Sequence, residues 1–226
     1  MPQFTVSSTL LPAIFDLMTK KEQALLEKTK YEVDYKAGEV IIKIGTKVSQ
    51  MMCLSNGLAK SYIEGYGDKR LIIRIIKPFE IIGVLPSYVG NHHQYSVMAI
   101  EDCRCFFYDL DTYKEIARKN SRIYDILTQN ICHYAMMYYS KFISLSLKQV
   151  NGRIAETLLY LYKDIYTVNP IVLSISKQDI ADMTGMSKDT ASRVLKSFHE
   201  EGIIEINGNS IAIVDEDKLV QISLNG

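Results

Sequence analysis

The sequence predicts an α+β chain in which an antiparallel β-barrel comes first, a long helix follows, and a winged helix-turn-helix closes the chain. Three observations carry this. Short β-branched runs punctuated by glycine fill residues 31–108, apolar residues recur at helical spacing through 111–147, and two short helical patterns meet at Gly185 just before an Asn-Gly hairpin signal. The expected divisions are 1–110 for the barrel, 111–149 for the long helix and a hinge, and 150–226 for the winged helix-turn-helix.

At 226 residues, 47% hydrophobic and 23% charged, the chain is long enough for one large or two modest cores. Its richest apolar stretch, LIIRIIKPFEIIGVL (71–85), is broken by Arg74, Lys77 and Glu80, so no membrane span is expected. The opening MPQFTVSSTL lacks the basic start and apolar core of a signal peptide, which makes the cytoplasm the expected location.

Thr19 to Lys30 has helical periodicity, and YEVDYKAGEVIIKIG (31–45) then alternates apolar and polar residues around a turn at Lys36 to Glu39. Further runs at 50–54, 58–63, 70–76 and 96–108 are separated by Gly57, Gly65, Gly67, Pro78 and Gly83, the pattern of a compact antiparallel barrel. Cys103 and Cys105 alternate along one strand and should share a face. With Cys53 and Cys132 they show no Cys-x-x-Cys spacing, so all four read as small apolar residues rather than a metal or redox site. His92 and His93 form a polar NHHQ loop with no second ligand group at a recognisable spacing. They are expected to be solvated, and no metal site is expected.

Residues 111–147 read as a short helix and then a long one. Within the long one Ile123, Leu127, Ile131, Tyr134, Tyr138, Phe142 and Leu145 recur at steps of three and four, a stripe suited to packing another helix. Met136, Met137 and Tyr139 widen it beyond what one partner covers, which favours the barrel on one side and a second subunit on the other. Leu127, Ile131, Tyr134, Tyr138 and Phe142 are the expected dimer contacts.

The third segment holds the most direct functional signal, SKQDIADMTGMSKDTASRVLKSFHEEGII (176–204). Ser176 and Asp179 have capping-box spacing, Ile180, Ala181 and Met183 form a buried side, and Gly185 supplies the left-handed residue between two helices. Ser187 is placed to cap the second helix, whose apolar face is Ala191, Val194, Leu195 and Phe198. Lys188, Asp189, Ser192, Arg193 and Lys196 are left outward. Arg193 suits a guanine, Asp189 a cytosine amino group, Ser192 a base or phosphate, and the two lysines phosphates. Asp189 and Arg193, four apart, equally suit a solvated ion pair. IIEINGNSIAIV (203–214) then reads as a hairpin about Asn207 and Gly208, a wing whose tip would lie beside a phosphate strand.

VNGRIAETLLYLY (150–162) followed by the SKDTASRVL core (187–195) resembles the Crp-Fnr family of bacterial transcription regulators, whose members carry a Gly-Arg-Ile-Ala type helix and then a Ser/Thr-x-Glu-Thr-x-x-Arg recognition helix. The resemblance places base reading at Lys188, Asp189, Ser192 and Arg193, with Asp189 in place of the usual Glu. It places phosphate contacts at Ser176, Lys177, Gln178 and Thr190, and the wing tip at Gly208. It also implies a double-stranded β-helix, or jelly-roll, sensor domain with turn glycines at Gly38, Gly45, Gly57 and Gly83, a parallel dimer helix, and RNA polymerase as a partner. Two inward-facing recognition helices would make an inverted repeat in double-stranded DNA the target.

The pocket departs from the family. Where cyclic-nucleotide-binding members have a Gly-Glu pair this chain has Gly83 and Val84, where they have Arg-Ser it has His93 and Gln94, and their adenine-contacting Thr-Ser pair aligns with Tyr138 and Tyr139. A buried phosphate without an arginine would be poorly compensated, so cyclic AMP is not expected to bind in the usual way. No cysteine lies in the first fifty residues, which argues against the N-terminal iron-sulfur cluster of some members; no cofactor is expected.

Two other classes remain for comparison. An enzyme on a barrel would need convergent His and carboxylate ligands or a nucleophile with its base, and the sequence supplies neither. A cyclic-nucleotide-type sensor acting through protein partners would keep the barrel without a basic recognition face. With 26 basic and 26 acidic residues the chain is neutral, and residues 150–226 hold seven basic against eleven acidic residues. DNA affinity therefore has to come from the local face of Lys188, Arg193 and Lys196. The expected switch has Ser144 to Val150 as a hinge that turns each helix-turn-helix when the barrel senses an effector, an unknown small molecule if there is one.

Overall fold

The computed structural model describes residues 10–67 and 69–226, so the opening segment read for a leader lies outside the described residues. Two compact units emerge. One gathers the described residues up to Ile63 with Arg74–Met136, and the other gathers Glu64–Ile73 with Met137–Gly226. The segment expected to stand between barrel and helix-turn-helix is thus divided within its long helix.

In the first unit, helix α1 (Leu10–Leu17) leads to α2 (Lys20–Glu27), which starts where local chemistry demands. The Thr19 hydroxyl accepts from the Glu22 amide and the Glu22 carboxylate accepts from the Thr19 amide at 2.8 Å, a complete capping box. The strands follow: β1 (Tyr31–Tyr35), β2 (Val40–Ile42), β3 (Gln50–Asn56), β4 (Ala59–Glu64), β5 (Arg70–Ile76) and β6 (Ile81–Ile82), the end of β4 and the first half of β5 being grouped with the other unit. A short helix α3 (Pro86–Val89) precedes β7 (Ser96–Ala99) and β8 (Cys103–Asp109).

Two four-stranded sheets result, ordered β1-β8-β3-β6 and β2-β7-β4-β5. The turn expected at Lys36 to Glu39 is present, yet β1 and β2 do not pair across it. β1 lies antiparallel to β8 and β2 to β7. Apart from β4 and β5, which are neighbours in one sheet, consecutive strands fall in opposite sheets, which makes the barrel a jelly-roll rather than a series of hairpins. Between the sheets lies a core of Ile42, Met52, Leu54, Ile76, Ile82, Val97 and Phe107, and Cys103 and Cys105 face into it together. Gly83, at φ +95°, is held where any Cβ would come 2.5 Å from the Gln50 carbonyl oxygen, so only glycine fits.

Two polar features of this unit differ from the sequence expectation. Arg74 and Glu80, read as interruptions of an apolar run, are 5% and 2% exposed and form a buried ion pair. Glu80 also accepts the Lys77 amide at 3.0 Å, and the Arg74 guanidinium lies 4.8 Å over the Tyr134 ring. His93, expected to be solvated, is only 8% exposed because its backbone pairs with the 45–46 turn, and its Nδ1 has no hydrogen-bond partner. His92 is exposed, as expected.

After β8, the Asp109 carboxylate caps α4 (Leu110–Arg118) by accepting the Thr112 amide at 2.7 Å, and α5 (Ser121–Leu147) follows. Ile123 and Leu127 of α5 join a second core with Ile14, Leu26, Met51, Tyr108, Tyr113 and Ile116. The apolar stripe is therefore split, and two of the expected dimer contacts need correction. Leu127 and Tyr134 are each 6% exposed, covered by their own chain, whereas Ile131, Tyr138 and Phe142 are 46%, 40% and 66% exposed. At about 100° per residue, Leu127 and Tyr134 fall on one edge of the stripe and Ile131 and Phe142 on the other.

The second unit continues from α5 into α6 (Val150–Tyr160), which winds on as a π-helical stretch, Leu161–Tyr166. Strand β9 (Ile171–Val172), helices α7 (Lys177–Thr184) and α8 (Lys188–Glu200), strands β10 (Ile204–Asn207) and β11 (Ser210–Ile213), and α9 (Glu216–Asn225) complete it. Its sheet has the order β10-β11-β9; β9 and α9 have no counterpart in the sequence reading. Among the described residues no helix is long and apolar enough to cross a membrane.

The ion pair and the buried imidazole each generate a measurable expectation. Replacing Arg74 by Met leaves Glu80 as an uncompensated buried charge and should cost about 3–5 kcal/mol in urea unfolding, while Arg74→Met with Glu80→Leu should recover most of it. Burial holds the His93 pKa below its usual 6.5, so its neutral form contributes stability in full above that value, and this is lost as pH falls through the depressed one. The urea midpoint should thus drop more steeply between pH 7.5 and 5 in the natural protein than in His93→Gln.

Candidate nucleic-acid interface

The interface begins with the start of α7. The Ser176 hydroxyl accepts from the Asp179 amide at 3.1 Å and the Asp179 carboxylate accepts from the Ser176 amide at 2.8 Å. This reciprocal pair satisfies two amides that the helix itself leaves free. It also commits the Ser176 hydroxyl, which donates to Asp179 at 2.8 Å. Lys177 and Gln178 are exposed beside it, Gln178 holding Asp182 at 2.7 Å.

Helix α7 ends at Gly185, whose φ of +63° and ψ of +36° are left-handed and whose amide bonds back to Ala181. The left-handed conformation calls for glycine, and an added Cβ would also crowd the end of the Leu145 side chain at 3.2 Å. Two residues later Ser187 caps α8 by accepting the Thr190 amide at 3.2 Å. Ala191, Val194, Leu195 and Phe198 are buried, packed with Ile180, Ala181 and Met183 inside.

That packing turns Lys188, Asp189, Arg193 and Lys196 outward, with Ser192 half-buried at the edge. The alternative Asp189 to Arg193 ion pair does not form. Arg193 instead donates to the Thr190 hydroxyl at 3.4 Å, and Thr190 pairs with the Ser187 hydroxyl at 2.9 Å. Lys196 reaches Glu200 at 3.5 Å, an exposed pair that water and salt weaken readily. Glu201 and Glu216 are paired with Lys218 and Lys163, which leaves the net acidic balance of residues 150–226 as it was.

The hairpin expected at Asn207 and Gly208 is present. Asn207 pairs with Ser210 across a two-residue turn in which Gly208 has φ +62°. Strand β9 then backs it, Ile171 against Ile211 and Val172 against Ser210, and the Asn209 side chain donates to the Leu173 carbonyl at 3.3 Å. The two-residue β9 offers too short a run for periodicity to reveal.

Of the six expected effector residues, Gly83, Val84, His93 and Gln94 belong to the first unit and Tyr138 and Tyr139 to the second. Gly83 sits beside His93, a Cβ there lying 3.8 Å from the imidazole, but Val84 is buried in the second core and Gln94 is exposed. Tyr138 and Tyr139 are exposed on the part of α5 that belongs to the other unit. Sequence reading also missed Lys141, whose ammonium donates to the Met183 carbonyl at the end of α7, and Arg153, which donates to the Thr184 carbonyl at 2.9 Å. Their partners lie 42 and 31 residues away, beyond any local signal.

Comparison with known proteins agrees with both halves of this description. Residues 152–222 match the Crp-like helix-turn-helix domain and residues 32–120 the cyclic nucleotide-binding domain. Electron transport regulator A of Shewanella oneidensis is 24% identical over 96% of this chain and 83% of its own length. The cAMP-activated global transcriptional regulator Vfr of Pseudomonas aeruginosa is 25% identical over 79% and 87%. Among solved structures, FixK2 from Bradyrhizobium japonicum superposes with a TM-score of 0.79 at 21% identity, covering 85% of this chain and 96% of its own. A CooA mutant from Carboxydothermus hydrogenoformans superposes at 0.78 and 19%, covering 97% of each chain.

Proposed function

Because this chain belongs to the Crp-Fnr family of DNA-binding transcription regulators, we propose that it works as a homodimer reading an inverted-repeat operator through α8. One observation carries the reading: the N-terminal half of α8 is capped, packed from behind, and presents Lys188, Asp189 and Arg193 outward, with Ser192 half-buried at their edge. Arg193 reads a guanine through its paired donors, Asp189 accepts from a cytosine amino group, and Ser192 bonds at the edge. Lys188, Lys196, Lys177, Gln178, Thr190 and the exposed turn at Gly208 serve the phosphate backbone, which sets affinity but not sequence. At Ser176 both the hydroxyl and the amide donate to Asp179, so a phosphate contact there would have to displace that carboxylate.

Support for pairing comes from the exposed edge of α5. Ile131, Tyr138 and Phe142 are each at least 40% exposed, large apolar side chains on one side of the helix that water disfavours and a second copy of the helix would cover. RNA polymerase is the further partner that family membership suggests, in the cytoplasm, and the role is one of binding rather than catalysis.

The barrel is proposed not to use cyclic AMP, although Vfr is a cAMP-activated regulator. Arg74, the buried arginine of this barrel, already has Glu80 as its counter-ion, and Val84 turns into the core. An anion entering here would have to displace a buried carboxylate. Any effector is therefore of other chemistry, and no metal or iron-sulfur cofactor is invoked.

Selection of binding sites from random duplexes by the purified protein should return an inverted repeat with half-sites about one helical turn apart. Arg193→Ala should lose about 1–3 kcal/mol of discrimination at a single base pair of each half-site, whereas Lys188→Ala should weaken all sequences alike and flatten the salt dependence by about one unit. Equal, weak binding of every duplex would overturn the reading. Calorimetric titration should show no cyclic AMP binding, and micromolar affinity would refute that part alone.

A further inference from the structure

The carboxyl end of α7 is closed by two cations from other helices, and one of them lies on the dimer helix itself. Met183 and Thr184 are 2% and 1% exposed, so their carbonyls, which the helix leaves free, have no access to bulk water. Arg153 of α6 serves Thr184 and Lys141 of α5 serves Met183. Cations suit this place, where the helix dipole is negative. Burial pushes the Lys141 pKa down to about 8, with Glu156 opposing and Arg153 adding to the fall.

Around this contact α5 is fastened again. Ser144 donates to Glu156, Lys148 pairs with the same carboxylate at 3.0 Å, and Leu145 lies against Gly185. The stretch expected to begin a free hinge at Ser144 is thus tied to the corner from which α8 departs. Tyr138 and Phe142, exposed on α5, flank Lys141 in sequence.

We propose that Lys141 is a positioning residue for DNA recognition, fixing where α8 sits on the dimer helix and thereby the spacing of half-sites the dimer accepts. This rests on the dimeric reading above. Lys141 touches no base or phosphate; it acts by setting the corner at Gly185 relative to α5, so its removal should alter tolerance of spacing and leave the half-site sequence unchanged.

The test uses the full chain and an operator series in which base pairs are added or removed between half-sites obtained by selection. Discrimination between the preferred spacing and its neighbours should fall by about fivefold in Lys141→Met, the weight of a capping cation, with the selected half-site unaltered. Lys141→Arg, which keeps charge and donor, should restore it. Should Lys141→Met fail to fold, Lys141→Gln takes its place. Unchanged spacing discrimination in a folded, charge-free variant would overturn the proposal, as would equal loss in Lys141→Arg. A natural protein that binds single half-sites with no spacing preference would sink the dimeric reading and this proposal with it.

Discussion

Helix α7 must stop and α8 must begin within the three residues Gly185 to Ser187, and the DNA-reading half of the molecule depends on how that is done. A buried helix end is costly because its carbonyls have no solvent to turn to. Here Gly185 reverses the chain in the left-handed conformation, its amide returns to Ala181, and Lys141 and Arg153 satisfy the Met183 and Thr184 carbonyls. Only with that corner settled do Ala191, Val194, Leu195 and Phe198 pack inward and the basic positions of α8 face outward. Recognition chemistry is thus a consequence of backbone accounting at a turn.

The barrel meets a comparable demand by different means. Apart from β4 and β5, consecutive strands lie in different sheets, so neighbours in sequence rarely pair and the core between the sheets is assembled from distant segments. A charge in such a place must be matched, and Arg74 has Glu80 and the face of Tyr134. The same arrangement draws one edge of α5 against the barrel and leaves the other bare. The division follows from geometry: the apolar stripe is wider than one neighbour covers, so one of its edges remains exposed.

Function was legible where the signal was short in range. Ser176 with Asp179, Gly185, Ser187 and the Asn207–Gly208 turn act within four residues of themselves, and each does in the structure what its spacing implies. His93 defeated the same approach. A polar loop predicts solvent, but pairing of its backbone with the 45–46 turn carries the imidazole inside. Leu127 and Tyr134 fail for a related reason, since periodicity identifies an apolar stripe without saying which partner takes which edge.

By itself, then, the sequence determined the long helical stretch, the two helices of the helix-turn-helix with their caps, the β-rich character of the first half, the wing, the outward residues of α8 and the order of the parts. Each is encoded by side-chain chemistry and backbone preference over a few neighbouring residues. Only the tertiary structure decided that β1 and β2 part to different sheets, that Glu80 neutralises Arg74, that β9 backs the wing, and that Lys141 closes a helix 42 residues further along. Those outcomes depend on which surfaces meet once apolar faces are buried, and no local pattern of residues records that.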